Sequence, residues 1–130
     1  MYTMREACTK LNMPYETLKF YCKEGLVPNV KRDKNNYRIF DDKNLAWLEG
    51  LQCLRNCGMS IKDMRQYMEY CLQGPDTIDL RKAMLARTKK ELLQKRQQLE
   101  QCLDYIDKKQ QFYDDIKSGK IAYRSNLIKC

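Results

Sequence analysis

The chain has 130 residues, of which 43% are hydrophobic and 32% charged, so it can form one small packed domain with an extension. Its formal net charge of +8 favours a polyanionic partner. It contains no histidine, which excludes the commonest general base and the Cys–His and Ser–His nucleophile pairs, and nothing in the sequence indicates an enzyme.

The first two predicted helices form a helix-turn-helix. Thr3 and Glu6 have the spacing of a capping box, and apolar residues at helical spacing follow them. Pro14 disfavours helical geometry at the residue before it, so a second helix begins near Tyr15. Gly25 suits the left-handed position that ends such a helix. Two short helices joined by a tight turn, the second of them basic, predict a helix-turn-helix.

A basic hairpin is predicted after the second helix. Short strands at 30–32 and 37–40 flank the turn 33–36, whose Asp and Asn residues tolerate left-handed geometry. A helix that enters the major groove and a hairpin that contacts the flanking phosphates are typical of a DNA-binding protein. A solvated charged face is the alternative. The charged residues of the helix and hairpin are Lys19, Lys23, Lys31, Arg32, Lys34 and Arg38 against Glu24 and Asp33.

The third predicted helix carries a line of small residues. Asp41 or Asp42 can cap this helix, and its leucines recur at helical spacing. Small side chains along one side of a helix allow another helix to approach closely. The members of this line are Ala46, Gly50, Cys53 and Cys57.

A fourth helix and a chain boundary follow. Ser60 and Asp63 have capping-box spacing and open the fourth helix. The Gln-Gly-Pro-Asp sequence at 73–76 is the clearest boundary in the chain. We therefore assign residues 1–74 to a winged helix-turn-helix DNA-binding domain.

The segment after this boundary predicts one long helix. From Thr77 to about Lys117 there is no Gly or Pro. An apolar row at sevenfold spacing is a coiled-coil seam, and such a helix needs a partner to bury it. A helix that folds back on its own domain is the alternative. We assign 75–117 to a dimerisation helix and 118–130 to a C-terminal tail, so the predicted fold is mostly α. The seam residues are Ile78, Leu85, Leu92, Leu99, Ile106 and Tyr113.

Two segments of the chain resemble the signature of the MerR family of regulators. TLKFYCKEGLVPNVKRDKNNYRIF, at 17–40, is similar to a TLRYYE-like recognition helix that runs into GLL-P and a GYRxY-like wing. WLEGLQCLRNCGMSIKDMRQY, at 47–67, is similar to the third and fourth helices of the family. The resemblance implies a homodimeric transcription regulator with an antiparallel two-helix coiled coil. It also implies binding to a pseudo-palindromic operator in double-stranded promoter DNA, which the dimer distorts on a signal, with RNA polymerase at the promoter.

The resemblance also implies which residues contact DNA. Tyr37 and Arg38 are expected on phosphate. Lys19 stands where the family has Arg and keeps the charge without the bidentate fork, whereas Asn36 stands for Gly and tolerates positive φ. By position, the recognition helix supplies Thr17, Lys19, Tyr21 and Lys23, the wing supplies Tyr37 and Arg38, and a second wing supplies Arg55, Ser60 and Lys62.

The seven cysteines are expected to be thiols. No apolar run approaches membrane-spanning length and no signal peptide precedes the first periodic segment, so we expect a cytoplasmic protein without membrane contact. Cysteines in a reducing cytoplasm stay reduced. Without histidine or a CxxC pair, and without cysteine at the start of the long helix, we expect no metal site and no cofactor. Cys130 is the only cysteine near the end of the chain.

One cysteine is a candidate sensor. The short chain with a cysteine in QCLRNCGMS resembles the aldehyde- and thiol-responsive AdhR/NmlR-like branch, a stress-response group with a Cys at the position of Cys53. The alternative for Cys53 is a small buried hydrophobe. Two other functions stay open: a coiled-coil adaptor that binds an acidic protein surface, and a regulator with no small-molecule input.

Overall fold

A computed structural model describes residues 1–129, and Cys130 lies outside this range. The described chain is mostly helical, as predicted, and forms two compact units that divide between Thr88 and Lys89. None of its helices is both long and apolar enough to span a membrane. In chain order the elements are β1 (Tyr2–Thr3), α1 (Met4–Leu11), α2 (Tyr15–Lys23), β2 (Lys31–Arg32), β3 (Arg38–Phe40), α3 (Asp42–Asn56), α4 (Ile61–Gln73) and α5 (Ile78–Lys117), with a 3₁₀ turn at Pro75–Thr77 before α5.

The predicted capping box at the start of α1 is confirmed. The Thr3 hydroxyl accepts a hydrogen bond from the Glu6 amide at 3.2 Å, and the Thr3 amide donates to the Glu6 carboxylate at 3.0 Å. The latter bond stabilises the charged carboxylate and holds the pKa of Glu6 below its usual value. At the end of α2, Gly25 adopts the expected positive φ of 71°. The Leu26 amide then donates to the Tyr21 carbonyl, which closes the helix end.

The wing is a three-stranded antiparallel sheet in the order β1-β3-β2. The predicted hairpin is confirmed at β2 and β3, and Asn36 in its turn has φ 66°. The sequence analysis missed β1, in which Tyr2 lies opposite Phe40. This strand has only two residues, too few to show an alternating pattern.

The core of the first unit lies between the three-stranded sheet, α1, α2, α3 and α4. Burying a Leu, Phe or Met side chain contributes about 1.5–3 kcal/mol, so this cluster supplies most of the stability of the unit. Its fully buried side chains are Leu18, Leu26, Phe40, Leu48, Leu51 and Met64.

The predicted boundary at residues 73–76 is a structured turn. Thr77 is buried, and its hydroxyl donates to the carbonyl of Tyr70 at the end of α4. Arg81 on the first turns of α5 donates to the carbonyl of Gly74. These bonds join α4 to the start of α5, and the first compact unit continues as far as Thr88.

The line of small residues on α3 faces solvent. Ala46, Gly50 and Cys53 are exposed, and a Cβ at Gly50 would meet open space. Cys57 is half-buried. Around Gly50, no other part of the described chain makes the close approach that small side chains allow.

Asn44 joins the start of α3 to the loop after α2, so its replacement should destabilise the first unit. Its side-chain amide donates to the Pro28 carbonyl at 3.2 Å, and its side-chain oxygen accepts from the Asp41 amide at 2.9 Å. Asn44→Ala leaves both groups unpaired in a part-buried site, and we expect a loss of about 1–3 kcal/mol. Urea unfolding should show a lower midpoint with an unchanged slope.

The exposed neighbour provides the control for this substitution. Lys43→Ala removes a solvated side chain at the adjacent position and should change the free energy of unfolding by less than about 0.5 kcal/mol. Equal midpoints for the two variants would contradict the role assigned to Asn44.

Candidate nucleic-acid interface

Helix α2 has one buried and one charged face. Leu18 is fully buried and Tyr21 is 3% exposed, which fixes the helix against the core. Lys19, Phe20 and Lys23 lie on the opposite face and are exposed, as the sequence analysis expected. The helix therefore presents two cations and one aromatic ring to solvent, the chemistry needed for contacts with phosphates and base edges.

A groove of about 480 Å³ lies between α2 and the C-terminal half of α3. It brings together three of the residues assigned to DNA binding, Thr17, Tyr21 and Arg55. The Arg55 guanidinium donates to the Met59 carbonyl at 3.3 Å, which orients it at the end of α3. Burial raises the pKa of Tyr21, and the positive charge of Arg55 opposes that shift. Arg55 thus adds a third cation beside the exposed face of α2.

Two polar residues of this groove were not identified from the sequence. Gln52 and Asn56 line it beside Arg55. Both lie on the side of α3 that Arg55 occupies, one at three residues before it and one directly after it. Helical spacing from Arg55 could have indicated Gln52, but only the packing of α3 against α2 shows that these side chains face the same groove.

The tip of the wing is held by its own hydrogen bonds. The Asp33 carboxylate accepts from the backbone amides of Asn35 at 2.9 Å and Tyr37 at 3.0 Å. The Arg32 guanidinium donates to the Asn36 carbonyl at 2.8 Å. Tyr37 is 70% exposed, so the tip presents a phenol on a constrained turn.

Cys22 shows that the wing and α2 lie close together. Burial raises the pKa of this thiol, and the positive charges of Arg38 and Arg32 act in the opposite direction. These arginines are paired across β3 and β2 and lie near the inner side of α2. Recognition helix and wing therefore form one continuous basic surface.

The turn between α3 and α4 carries the remaining assigned residues. The Ser60 hydroxyl accepts from the Asp63 amide at 3.1 Å and caps α4, and Ser60 and Lys62 are exposed. The predicted reciprocal bond is not formed, because the Asp63 carboxylate pairs with Arg87 at 3.6 Å. Ser60 thus sets the start of α4 and leaves Lys62 on its first turn.

The cations of this surface are not neutralised by carboxylates. Within residues 1–129 the ion pairs are Arg65–Glu24 and Arg87–Asp63. Lys19, Lys23, Arg38 and Arg55 take part in neither pair. The surface therefore keeps its positive charge available for a polyanion.

The cysteines differ in their surroundings. Cys53 and Cys102 are exposed, whereas Cys8 and Cys22 are half-buried and burial raises the pKa of each of these two thiols. No cluster of three or more potential metal ligands occurs in the described part of the chain. The candidate sensor Cys53 lies on the exposed side of α3, two residues before Arg55.

Comparison with known proteins confirms the family resemblance. A family model described as "MerR HTH family regulatory protein" matches residues 2–71. An uncharacterized HTH-type transcriptional regulator of Haemophilus influenzae is 41% identical over 117 residues, which cover 90% of this chain and 87% of that protein. HTH-type transcriptional regulator AdhR of Bacillus subtilis is 35% identical over 78 residues, which cover 60% of this chain and 56% of that protein.

A solved structure matches both parts of the fold. The crystal structure of HiNmlR, described as a MerR family regulator lacking the sensor domain and bound to promoter DNA, has a TM-score of 0.76 and 41% sequence identity. The match covers 90% of this chain and 93% of that chain. Together with AdhR, it supports the AdhR/NmlR-like branch expected from the sequence.

Proposed function

Because this chain belongs to the MerR family of helix-turn-helix regulatory proteins, we propose that it acts as a homodimer on a pseudo-palindromic promoter operator, which it distorts on a signal. It is a transcription regulator, not an enzyme. The observation that carries the proposal is the continuous basic surface of α2, the wing and Arg55, whose cations are not paired with carboxylates.

The surface divides into a part that reads bases and a part that binds phosphate. Lys19 and Lys23 lie on the exposed face of α2, which enters the major groove, where ammonium groups can donate to guanine. Tyr37 and Arg38 lie on the wing and contact the flanking backbone. The residues of the second wing and of the groove extend these backbone contacts; they are Thr17, Tyr21, Arg55, Ser60 and Lys62.

The seam of α5 supports dimerisation. Its six apolar residues are between 37% and 65% exposed in the single chain. Such a row along one helix is stable in water only when a partner helix covers it. The family resemblance gives an antiparallel pair of helices, which would set the separation of two recognition helices on one operator. These residues are Ile78, Leu85, Leu92, Leu99, Ile106 and Tyr113.

The operator also sets the cellular context. A promoter-bound dimer acts beside RNA polymerase, and realignment of promoter elements by DNA distortion would connect binding to transcription. A protein with this partner works in the compartment that holds the chromosome, which we take to be the cytoplasm.

Cys53 is the proposed site of the signal. Its thiol is exposed, so an aldehyde can reach it. The sulfur would add to the carbonyl carbon, the carbonyl π bond would break, and its oxygen would take up a proton to give a hemithioacetal. The adduct adds bulk to the line of small residues on α3, where a second protomer can approach. Overpacking there by about 1–3 kcal/mol would shift a two-state dimer about tenfold.

Arg38 should bind phosphate without reading sequence. Arg38→Ala should weaken binding to the DNA upstream of the protein's own gene about equally for wild-type and altered operators. The slope of log K against log salt should fall by about one unit. Both effects are measured by gel shift or fluorescence anisotropy over a salt series.

Two further outcomes of this titration are informative. Lys82→Ala removes an exposed cation from α5 and should leave the affinity and the slope unchanged. A loss confined to one operator variant would make Arg38 a base-reading residue. No binding of wild-type protein to any upstream DNA would instead favour the coiled-coil adaptor with an acidic protein partner.

The seam predicts how the dimer can be dissociated. The double substitution Leu92→Lys and Leu99→Lys places like charges between the two helices, so sedimentation should show monomers. Operator affinity should fall with it because the two half-sites are no longer linked. The matched control is Leu93→Lys with Gln101→Lys, which adds the same charge at exposed positions off the seam. A dimer that survives the first change would show that the seam is assigned wrongly.

The proposed signal is tested with a promoter reporter challenged with an electrophilic aldehyde. Cys53→Ala should abolish the response while operator binding is retained, because the reacting sulfur is gone and the exposed site tolerates the smaller side chain. Cys57→Ala, at the half-buried neighbouring position, should respond like wild type. An unchanged response in Cys53→Ala would favour a regulator whose signal, if any, acts elsewhere.

A further inference from the structure

The end of α5 and the segment that follows it enclose a cleft within the second compact unit. The tail folds back so that Tyr123 and Arg124 lie beside Phe112 and Tyr105 of the helix, around a volume of about 670 Å³. This volume is within the range of small-molecule sites in proteins. The tail was predicted only as a segment after the long helix, and the cleft follows from its packing.

The lining of the cleft combines aromatic rings with cations. Lys108, Lys109 and Arg124 contribute three positive charges, and no acidic side chain is among the lining residues. In the part of the chain that the structure describes, none of these three cations forms an ion pair. Three uncompensated charges in one concave site attract an anion.

Phe112 is placed between two of these cations. The Lys109 ammonium lies 5.5 Å from the ring centroid, and the Arg124 guanidinium carbon lies 5.2 Å from it. Both groups are held by the ring instead of by a carboxylate, and a cation–π contact leaves their N–H groups able to donate elsewhere. Held in this way, the two cations are positioned to bind an acceptor that enters beside the ring.

The tyrosines of the cleft are more exposed than is usual for aromatic residues in one place. Tyr105 is 61% exposed, Tyr113 53% and Tyr123 54%. Clustered apolar surface of this kind marks binding sites in soluble proteins. Because four rings and three cations share one cleft, its chemistry fits a ligand that carries a flat apolar body and a negative charge on the same small molecule.

We propose that this cleft binds small organic anions in which a planar aromatic ring carries a carboxylate or sulfonate. The ring of the ligand stacks among Tyr105, Phe112 and Tyr123, and its anionic group accepts hydrogen bonds from Arg124 and Lys109. A nucleic-acid backbone would meet the charges but leave the rings in water, so a small aromatic anion satisfies more of the site. The site is distinct from Cys53 and from the DNA-binding surface, and does not depend on their roles.

Calorimetric titration of the full-length protein with 1-naphthoate and with uncharged 1-naphthalenemethanol tests both halves of this chemistry. Naphthoate should bind with one site per chain and at least about tenfold more tightly than the alcohol, since only it can use the cations. Equal affinities, or the absence of saturable naphthoate binding, would overturn the proposal. The second result is also the one expected if another copy of the chain fills the cleft.

Variants assign the binding to this cleft. Arg124→Gln and Lys109→Gln should each weaken naphthoate binding about fivefold or more and leave the alcohol nearly unaffected, whereas Phe112→Leu should weaken both probes. Arg96→Gln makes the same charge change on α5 at an exposed position outside the cleft and should have no effect. Circular dichroism confirms that each variant keeps its helix content. Unchanged naphthoate affinity in Arg124→Gln and in Lys109→Gln, with the fold intact, would refute the assignment.

Discussion

The DNA-binding half of the molecule depends on one helix keeping a buried face and a charged face in register. Leu18 and Tyr21 fix α2 against the core, while Lys19 and Lys23 lie outward on the same two turns. Each buried side chain of this size contributes about 1.5–3 kcal/mol, so the orientation of the charged face is held by packing. Phe40, at the end of β3, belongs to the same core cluster. The positions of the helix and the wing are therefore determined by one set of apolar contacts.

This surface keeps its charge because its arginines are anchored by carbonyl groups. Arg55 donates to the Met59 carbonyl and Arg32 to the Asn36 carbonyl, so each side chain is oriented without being neutralised. Arg65 instead pairs with the Glu24 carboxylate at 3.0 Å. Since exposed ion pairs add little stability, about 0–1 kcal/mol, their absence from the DNA-binding surface costs the fold little. It leaves the full cationic charge for a polyanionic partner.

Local signals in the sequence were sufficient for most of the fold, and long-range contacts account for what they missed. The cap at Thr3, the turn at Gly25 and the long helix after Thr77 each depend on residues within a few positions of one another. Strand β1 depends on Tyr2 meeting Phe40 across the folded domain, and two residues carry no pattern that announces such a pairing. The role of Asn44, which joins two segments far apart in the chain, was missed for the same reason.

The candidate site shows the same division, most clearly in its cysteines. Spacing and family resemblance gave the residues of α2 and the wing, but only packing brings Arg55 into the groove beside them. In the sequence the cysteines look equivalent, and burial then separates them, since Cys8 and Cys22 have raised pKa values and restricted access. A reagent would have to displace core packing to reach Cys22. At Cys53 it meets an exposed thiol within one helical turn of Arg55, so an adduct there changes the edge of the DNA-binding surface without first opening the core.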